Sequence, residues 1–100
     1  MIQVKIKRNQ EQITEITITG HADYDEYGKD IVCSSVSSIV ITTVNGILEL
    51  NPNYLEVVEE KNKMIIQIKE EDEIGMKLIQ NMISLLEELS RNYPKNIKVK

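Results

Sequence analysis

Cys33 is the only cysteine and His21 the only histidine among the 100 residues of this chain. A cysteine thiolate is a strong nucleophile, and an imidazole beside it can take the thiol proton and pass it on, so the two together can attack a carbonyl. Both lie in the stretch from Gly20 to Ser37, which reads as a strand end, a polar loop and the opening turns of a helix. A loop of about eight residues, Ala22 to Lys29, is long enough to fold back and set the imidazole against that opening turn.

Asp30 is the expected N-cap of the helix, which makes Ile31, Val32 and Cys33 its first three residues. In the first turn, unpaired N–H groups and the positive end of the helix dipole favour a thiolate. Cysteines placed so have pKa values of roughly 3.5 to 7.5 in place of about 8.5. The N–H groups near Cys33 and Ser34 are then also available to a developing oxyanion. Asp30 can orient His21 or cap the helix; capping competes for the same carboxylate. Ser37, one turn past Cys33, can line a pocket or bond back to the helix. Tyr24 and Tyr27 are loop residues suited to an apolar substrate segment, and Gly20 and Gly28 would be the hinges of a lid. A lone cysteine is more often a small apolar filler. Against that reading, Cys33 adjoins Ser34 and Ser35 instead of an unbroken apolar run, and His21 follows a strand end, where functional groups concentrate.

Gly20-His21-Ala22, Gly28, Asp30-Ile31-Val32-Cys33 and Val36-Ser37 closely resemble the signature of the ribosomal-processing cysteine proteases. In that family the motif runs G-H-A, a glycine-containing loop, then D-I-V-C-A-A-V-S, with the same His-to-Cys spacing and a similar chain length. The resemblance implies a homodimeric peptidase that removes the N-terminal extension of a large-subunit ribosomal protein precursor, cutting after adjacent aromatic residues. It places the nucleophile on Cys33 and the general base on His21, and sets the motif's Asp and Ser on Asp30 and Ser37. Ser34-Ser35 replaces the usual pair of alanines, which keeps the side chains small and makes the pocket wall more polar. The loop, with Asp23, Asp25 and Glu26, is also poorer in glycine than in many relatives.

Length and a 41% hydrophobic content fit one domain, residues 1–100, with a single core. The longest apolar run, Ile39-Val40-Ile41, is far below the roughly 18 residues of a bilayer span, and the alternating first residues do not resemble a signal peptide. A cytoplasmic protein with no membrane partner is expected. One cysteine excludes an internal disulfide and supplies too few soft ligands for structural zinc. The net charge is −4 with a pI near 5.0, and the basic residues are scattered, which disfavours direct nucleic-acid binding. Basic ribosomal proteins suit an acidic partner, although such a charge is also the common solubility device of small domains.

The elements that must position the pair follow from periodicity. Ile2, Val4 and Ile6 alternate with polar residues and predict a strand over 2–8; a second runs from about Gln12 to Thr19 and is closed by Gly20. Ile31 to about Leu50 is β-branched, but Val32, Val36, Ile39, Val40, Val44, Ile47 and Leu48 recur at helical spacing. Gly46 inside that helix costs about 1 kcal/mol relative to alanine, which a close helix contact or an early helix end would explain. After Asn51-Pro52-Asn53, strands are expected at Tyr54–Glu59 and Met64–Lys69 around a turn at 60–63. The acids Glu70 to Glu73 complement the dipole of a second helix better than they suggest a metal site. That helix carries Ile74, Leu78, Met82, Leu85, Leu86 and Leu89 at core spacing to about Asn92, where Pro94 ends it, and Ile97-Lys98-Val99 adds a last strand. The expected fold is α/β of the α+β type: a β-β-α-β-β-α-β chain, a mostly antiparallel sheet with two helices on one face.

Two functions compete on these residues besides proteolysis. A non-catalytic, ribosome-associated binding module would leave Cys33 and His21 incidental. A thiol redox sensor would need a resolving thiol from a second chain or a small molecule. Neither metal nor cofactor is required by the residues singled out.

Overall fold

Alternating apolar residues become the inner face of one sheet. The computed structural model describes the backbone of residues 1–20 and 27–100, and side chains outside 21–30. Its elements are β1 (Ile2–Asn9), β2 (Gln12–Thr19), α1 (Tyr27–Leu50), β3 (Leu55–Glu60), β4 (Lys63–Ile68), α2 (Glu73–Asn92) and β5 (Ile97–Val99), the expected order. The strands lie in the order β3-β4-β2-β1-β5. All pairings are antiparallel except β5 on β1, so the sheet is mixed.

Gln10 and Glu11 both take positive φ, at 53° and 73°, as a two-residue hairpin turn between right-twisted strands requires. Ile2, Val4, Ile16, Ile18 and Ile66 face inward and are buried with Val32, Val36, Val40, Val44 and Ile47 of α1 and Ile79, Met82, Ile83 and Leu86 of α2. These form a single cluster, so both helices cover the same face of the sheet. The opposite face presents rows such as Lys5, Thr17, Ile65 and Val58, directly opposite one another across four strands.

The buried stripe of α2 differs in phase from the expected one. Ile74 is 64% exposed and Leu85 40%, while Gly75, Ile79 and Ile83 turn inward. Tyr54 causes the shift. Its ring, fully buried, lies where a Cβ at residue 75 would meet it at 2.7 to 3.0 Å. Only glycine lets the helix sit this close. Gly75→Ala is therefore expected to lower stability by about 1–3 kcal/mol through overpacking, read as a fall in the urea midpoint with an unchanged slope.

Asp72 caps α2 through Oδ1, which accepts from the N–H of Ile74 at 3.0 Å and of Gly75 at 3.2 Å. The Nδ2 of Asn51 donates to its Oδ2 at 3.3 Å, tying the end of α1 to the start of α2. The Gly75 bond, then Asn51, then the Ile74 bond hold the Asp72 carboxyl below the usual carboxylate range. A depressed folded-state pKa stabilises the protein above the unfolded value, and that share is lost as pH falls through the folded one. Asp72→Ala should thus lower the urea midpoint clearly at neutral pH. The gap from wild type should narrow below about pH 3, as urea titrations at both pH values would register.

By length and composition, Ile31–Leu50 of α1 is also apolar enough to cross a membrane. Counting consecutive apolar residues missed this, because serines and threonines interrupt the run. In the fold, one stripe of the helix packs into the core.

Candidate active site

Helix α1 begins at Tyr27, a full turn earlier than Asp30 suggested. Once a helix is nucleated and packed along its length, each added residue gains a hydrogen bond at little further cost, and Gly28 and Lys29 join the helix on that basis. Asp30 is therefore inside the first turn and does not occupy the N-cap position, although an acid there still complements the dipole. Tyr27 opens the helix and Gly28 lies within it, so neither belongs to the loop that the sequence suggested up to Lys29.

This moves Cys33 into the second turn. In an α-helix starting at Tyr27, the N–H groups of Cys33 and Ser34 are bonded to carbonyls one turn back. They cannot serve an incoming oxyanion, and the dipole effect weakens beyond the first turn. These N–H groups are thus not the open donors that the sequence suggested, and the helix favours a thiolate at Cys33 less than a first-turn position would.

Cys33 is half-buried and packs against the core cluster, where it is a thiol and not half of an intrachain disulfide. Ser37 follows one turn later on the same side of α1 and is exposed. It borders a small crevice of about 30 Å³ lined by Ile18, Val36, Val40, Ile41 and Met64. Ser34 faces elsewhere. With Ser35, Ser38 and Ile39 it forms one wall of a groove of about 480 Å³, whose other wall is Leu85, Glu88, Leu89 and Asn92 of α2. The Ser35 hydroxyl donates to the Ile31 carbonyl at 2.9 Å. The two serines at the departure from the family motif therefore differ: Ser35 is engaged by its own helix, and Ser34 makes the groove wall polar. Ser34 and Ser37 do not share one pocket. Sequence reasoning missed the α2 wall because nothing local in Leu85 or Leu89 announces which helix will lie beside them.

The crevice at Ser37 also reaches the end of the first hairpin, since Ile18 is the penultimate residue of β2. Gly20 follows with φ 81°, its N–H donating to the Asn62 carbonyl at 3.2 Å. An added Cβ there would collide with the Met1 carbonyl. Strand end and backbone packing thus fix Gly20 at the end of β2. His21 and Tyr24 lie outside the described residues, as do the side chains of Tyr27 and Asp30. Among the described residues, no group of His, Cys, Asp and Glu has the arrangement to hold a metal ion.

Comparison with known proteins gives this geometry a context. Residues 1–98 match the family model described as cysteine protease Prp. The ribosomal processing cysteine protease Prp of Bacillus subtilis is 33% identical over 107 residues, covering 99% of this chain and 96% of that protein. The crystal structure of an essential ribosomal processing protease Prp from S. aureus, in complex with a substrate peptide, superposes with a TM-score of 0.92 at 28% identity, covering 100% of this chain and 98% of that one. The S. aureus protein with a covalently linked product peptide superposes with a TM-score of 0.88 at 29% identity, with the same coverage.

Proposed function

The chain belongs to the Prp family of cysteine proteases, and from that premise we propose that Cys33 and His21 form a catalytic dyad that removes the N-terminal extension of a large-subunit ribosomal protein precursor, cutting after adjacent aromatic residues. The observation that supports this reading is the nearness of the β2 end, at Ile18, to Val36 and Ser37 of α1, the helix that also carries Cys33. The covalently linked product peptide in the S. aureus relative is the outcome expected of a nucleophilic cysteine.

The imidazole of His21 takes the thiol proton, and Cys33 Sγ attacks the scissile carbonyl carbon to give a tetrahedral oxyanion. As the C–N bond breaks, the imidazolium returns that proton to the leaving amine, and a thioester remains on Cys33. Water then attacks the thioester while His21 takes one of its protons; collapse breaks the C–S bond and restores the thiol and the free carboxylate. With the N–H groups of Cys33 and Ser34 engaged in the helix, the oxyanion donor is assigned in this proposal to the exposed hydroxyl of Ser37, one turn on from Cys33. Asp30, inside the helix, is left to orient His21 or to complement the dipole. Ser34 and the groove beside it, with Tyr24 and Tyr27, contact the apolar substrate segment.

The enzyme works as a homodimer in the cytoplasm, its partner a nascent or newly made ribosomal protein, and needs no metal or cofactor. Incubating the protein with the precursor and recording intact masses tests this. The precursor should lose an N-terminal segment ending in the aromatic pair. Stoichiometric binding without any mass change would instead favour a ribosome-associated binding module.

A further inference from the structure

Half of the 12 Lys and Arg residues, and none of the 16 Asp and Glu, fall in residues 1–9 and 93–100, at opposite ends of the sequence. The fold brings the two segments together. β5 runs parallel to β1 from Ile2 beside Ile97 to Val4 beside Val99. The Lys100 N–H donates to the Val4 carbonyl at 2.8 Å and the Ile6 N–H to the Lys100 carbonyl at 3.1 Å, which sets Lys100 beside Lys5. Because Ile2, Val4 and Ile97 turn into the core, Lys5, Lys7, Lys98 and Lys100 point away from both helices, and all are exposed. Basic residues that are scattered in the sequence thus become one strip on the sheet face that no helix covers.

Like charges directly opposite one another on neighbouring strands destabilise a sheet. Among the described residues the ion pairs are Lys69 with Glu56 and Lys77 with Glu73, and neither relieves this strip. Glu15 stands opposite Lys7, but the partners of Lys5 and Lys98 in the ladders are Thr17 and Gln3. Lysines also guard an exposed edge against strand addition, which accounts for those on β5. It does not account for Lys5 and Lys7, since β1 lies inside the sheet between β2 and β5. We infer that the strip holds the sugar–phosphate backbone of an RNA helix. Side chains on one face of a strand recur about every 6.7 Å, and a duplex strand carries a charge about every 3.4 Å of its axis, so the lysines meet several phosphates at once. Gln3, Thr17 and Thr19, on the same face, offer hydrogen bonds to 2′-hydroxyls, and an open sheet face suits the wide, shallow minor groove of A-form RNA better than the narrow one of DNA. The four lysines are interleaved with no exposed aromatic or aliphatic side chain of the kind that enters a lipid surface. Contacts of this type hold the backbone without reading sequence. The inference is independent of the catalytic dyad.

Fluorescence anisotropy of a fluorescein-labelled RNA duplex of about 20 base pairs, titrated with the full chain, tests the strip. Wild type should bind, and its affinity should fall by about a hundredfold between about 50 and 200 mM KCl, as about four phosphate contacts require. Lys5→Glu with Lys98→Glu should weaken binding at the lower salt by about tenfold or more and remove about two contacts from the salt slope. A carboxylate at position 5 would face Lys100, an attractive pair in place of a repulsive one, so this variant should match or exceed the wild-type urea midpoint. Lys61→Glu with Lys77→Glu makes the same change in net charge away from the strip and should bind within about threefold of wild type. A DNA duplex of the same sequence should bind at least about threefold more weakly than the RNA. Equal weakening by both double variants, or no RNA binding by wild type at about 100 μM protein, would overturn the role of the strip. Equal affinity for DNA would overturn its assignment to RNA, and flotation with phosphatidylserine vesicles in place of RNA binding would assign it to lipid.

Discussion

Cys33→Ala is expected to leave no measurable cleavage of the proposed precursor and a fold that melts close to wild type. The thiol is half-buried at the margin of the core, so exchanging it for a methyl creates little cavity, and a cost of about 1 kcal/mol or less is expected. Catalysis has no such margin. Without sulfur there is no thioester, and neither Ser34 nor Ser37 replaces it, one facing the α2 groove and the other lying a turn away. What remains is binding, and kcat/KM should fall by at least about 10⁴-fold. A quenched fluorescent peptide spanning the cut site gives the rate, and circular dichroism gives the fold. Undiminished cleavage by rigorously purified Cys33→Ala protein would remove the nucleophile assignment.

His21→Ala should lower kcat/KM by about 10² to 10⁴-fold, the usual range for a general acid–base group. The position of Cys33 makes the upper part of that range the expected one. Had the helix begun at Ile31, first-turn N–H groups and the dipole would have sustained a thiolate by themselves. Starting at Tyr27, the helix bonds those groups internally, and in the proposed dyad most of the activation is expected from the imidazole. Loss of base and loss of leaving-group acid then coincide in one variant. A rate within threefold of wild type across pH would show that His21 takes no part, with about 0.6 kcal/mol as the whole of its contribution.

Much of the framework was legible from pattern alone. Strict alternation in Ile2, Val4 and Ile6, and again in Ile16 and Ile18, has only one pleated solution, and the hairpins and sheet follow from it. The α1 stripe of Val32, Val36, Val40, Val44 and Ile47 was equally plain, because helical spacing survives a β-branched composition. Where expectation failed, the cause was tertiary. Asp30 before Ile31-Val32 looks like a cap, but a helix already packed along its length extends past such a signal through Gly28 and Tyr27. The face of α2 turned by about one residue because Tyr54 lies over Gly75, a contact between positions distant in sequence. Parallel pairing of β5 with β1 likewise depends on how α2 returns the chain, which three residues of strand cannot announce. At the site, the motif around Cys33 pointed to the cysteine protease family that the whole chain matches, whereas the groove against Leu85 and Leu89 exists only once two helices meet.

Whether the imidazole sets the state of the sulfur is read most directly from the pH dependence of Cys33 alkylation by iodoacetamide, followed by intact mass in wild type and His21→Ala. Wild type should react with a midpoint well below the ordinary thiol value of about 8.5, and His21→Ala should move that midpoint back toward it and slow alkylation at pH 6 by about tenfold or more. Superimposable profiles for the two proteins would mean that His21 and Cys33 do not act as a pair.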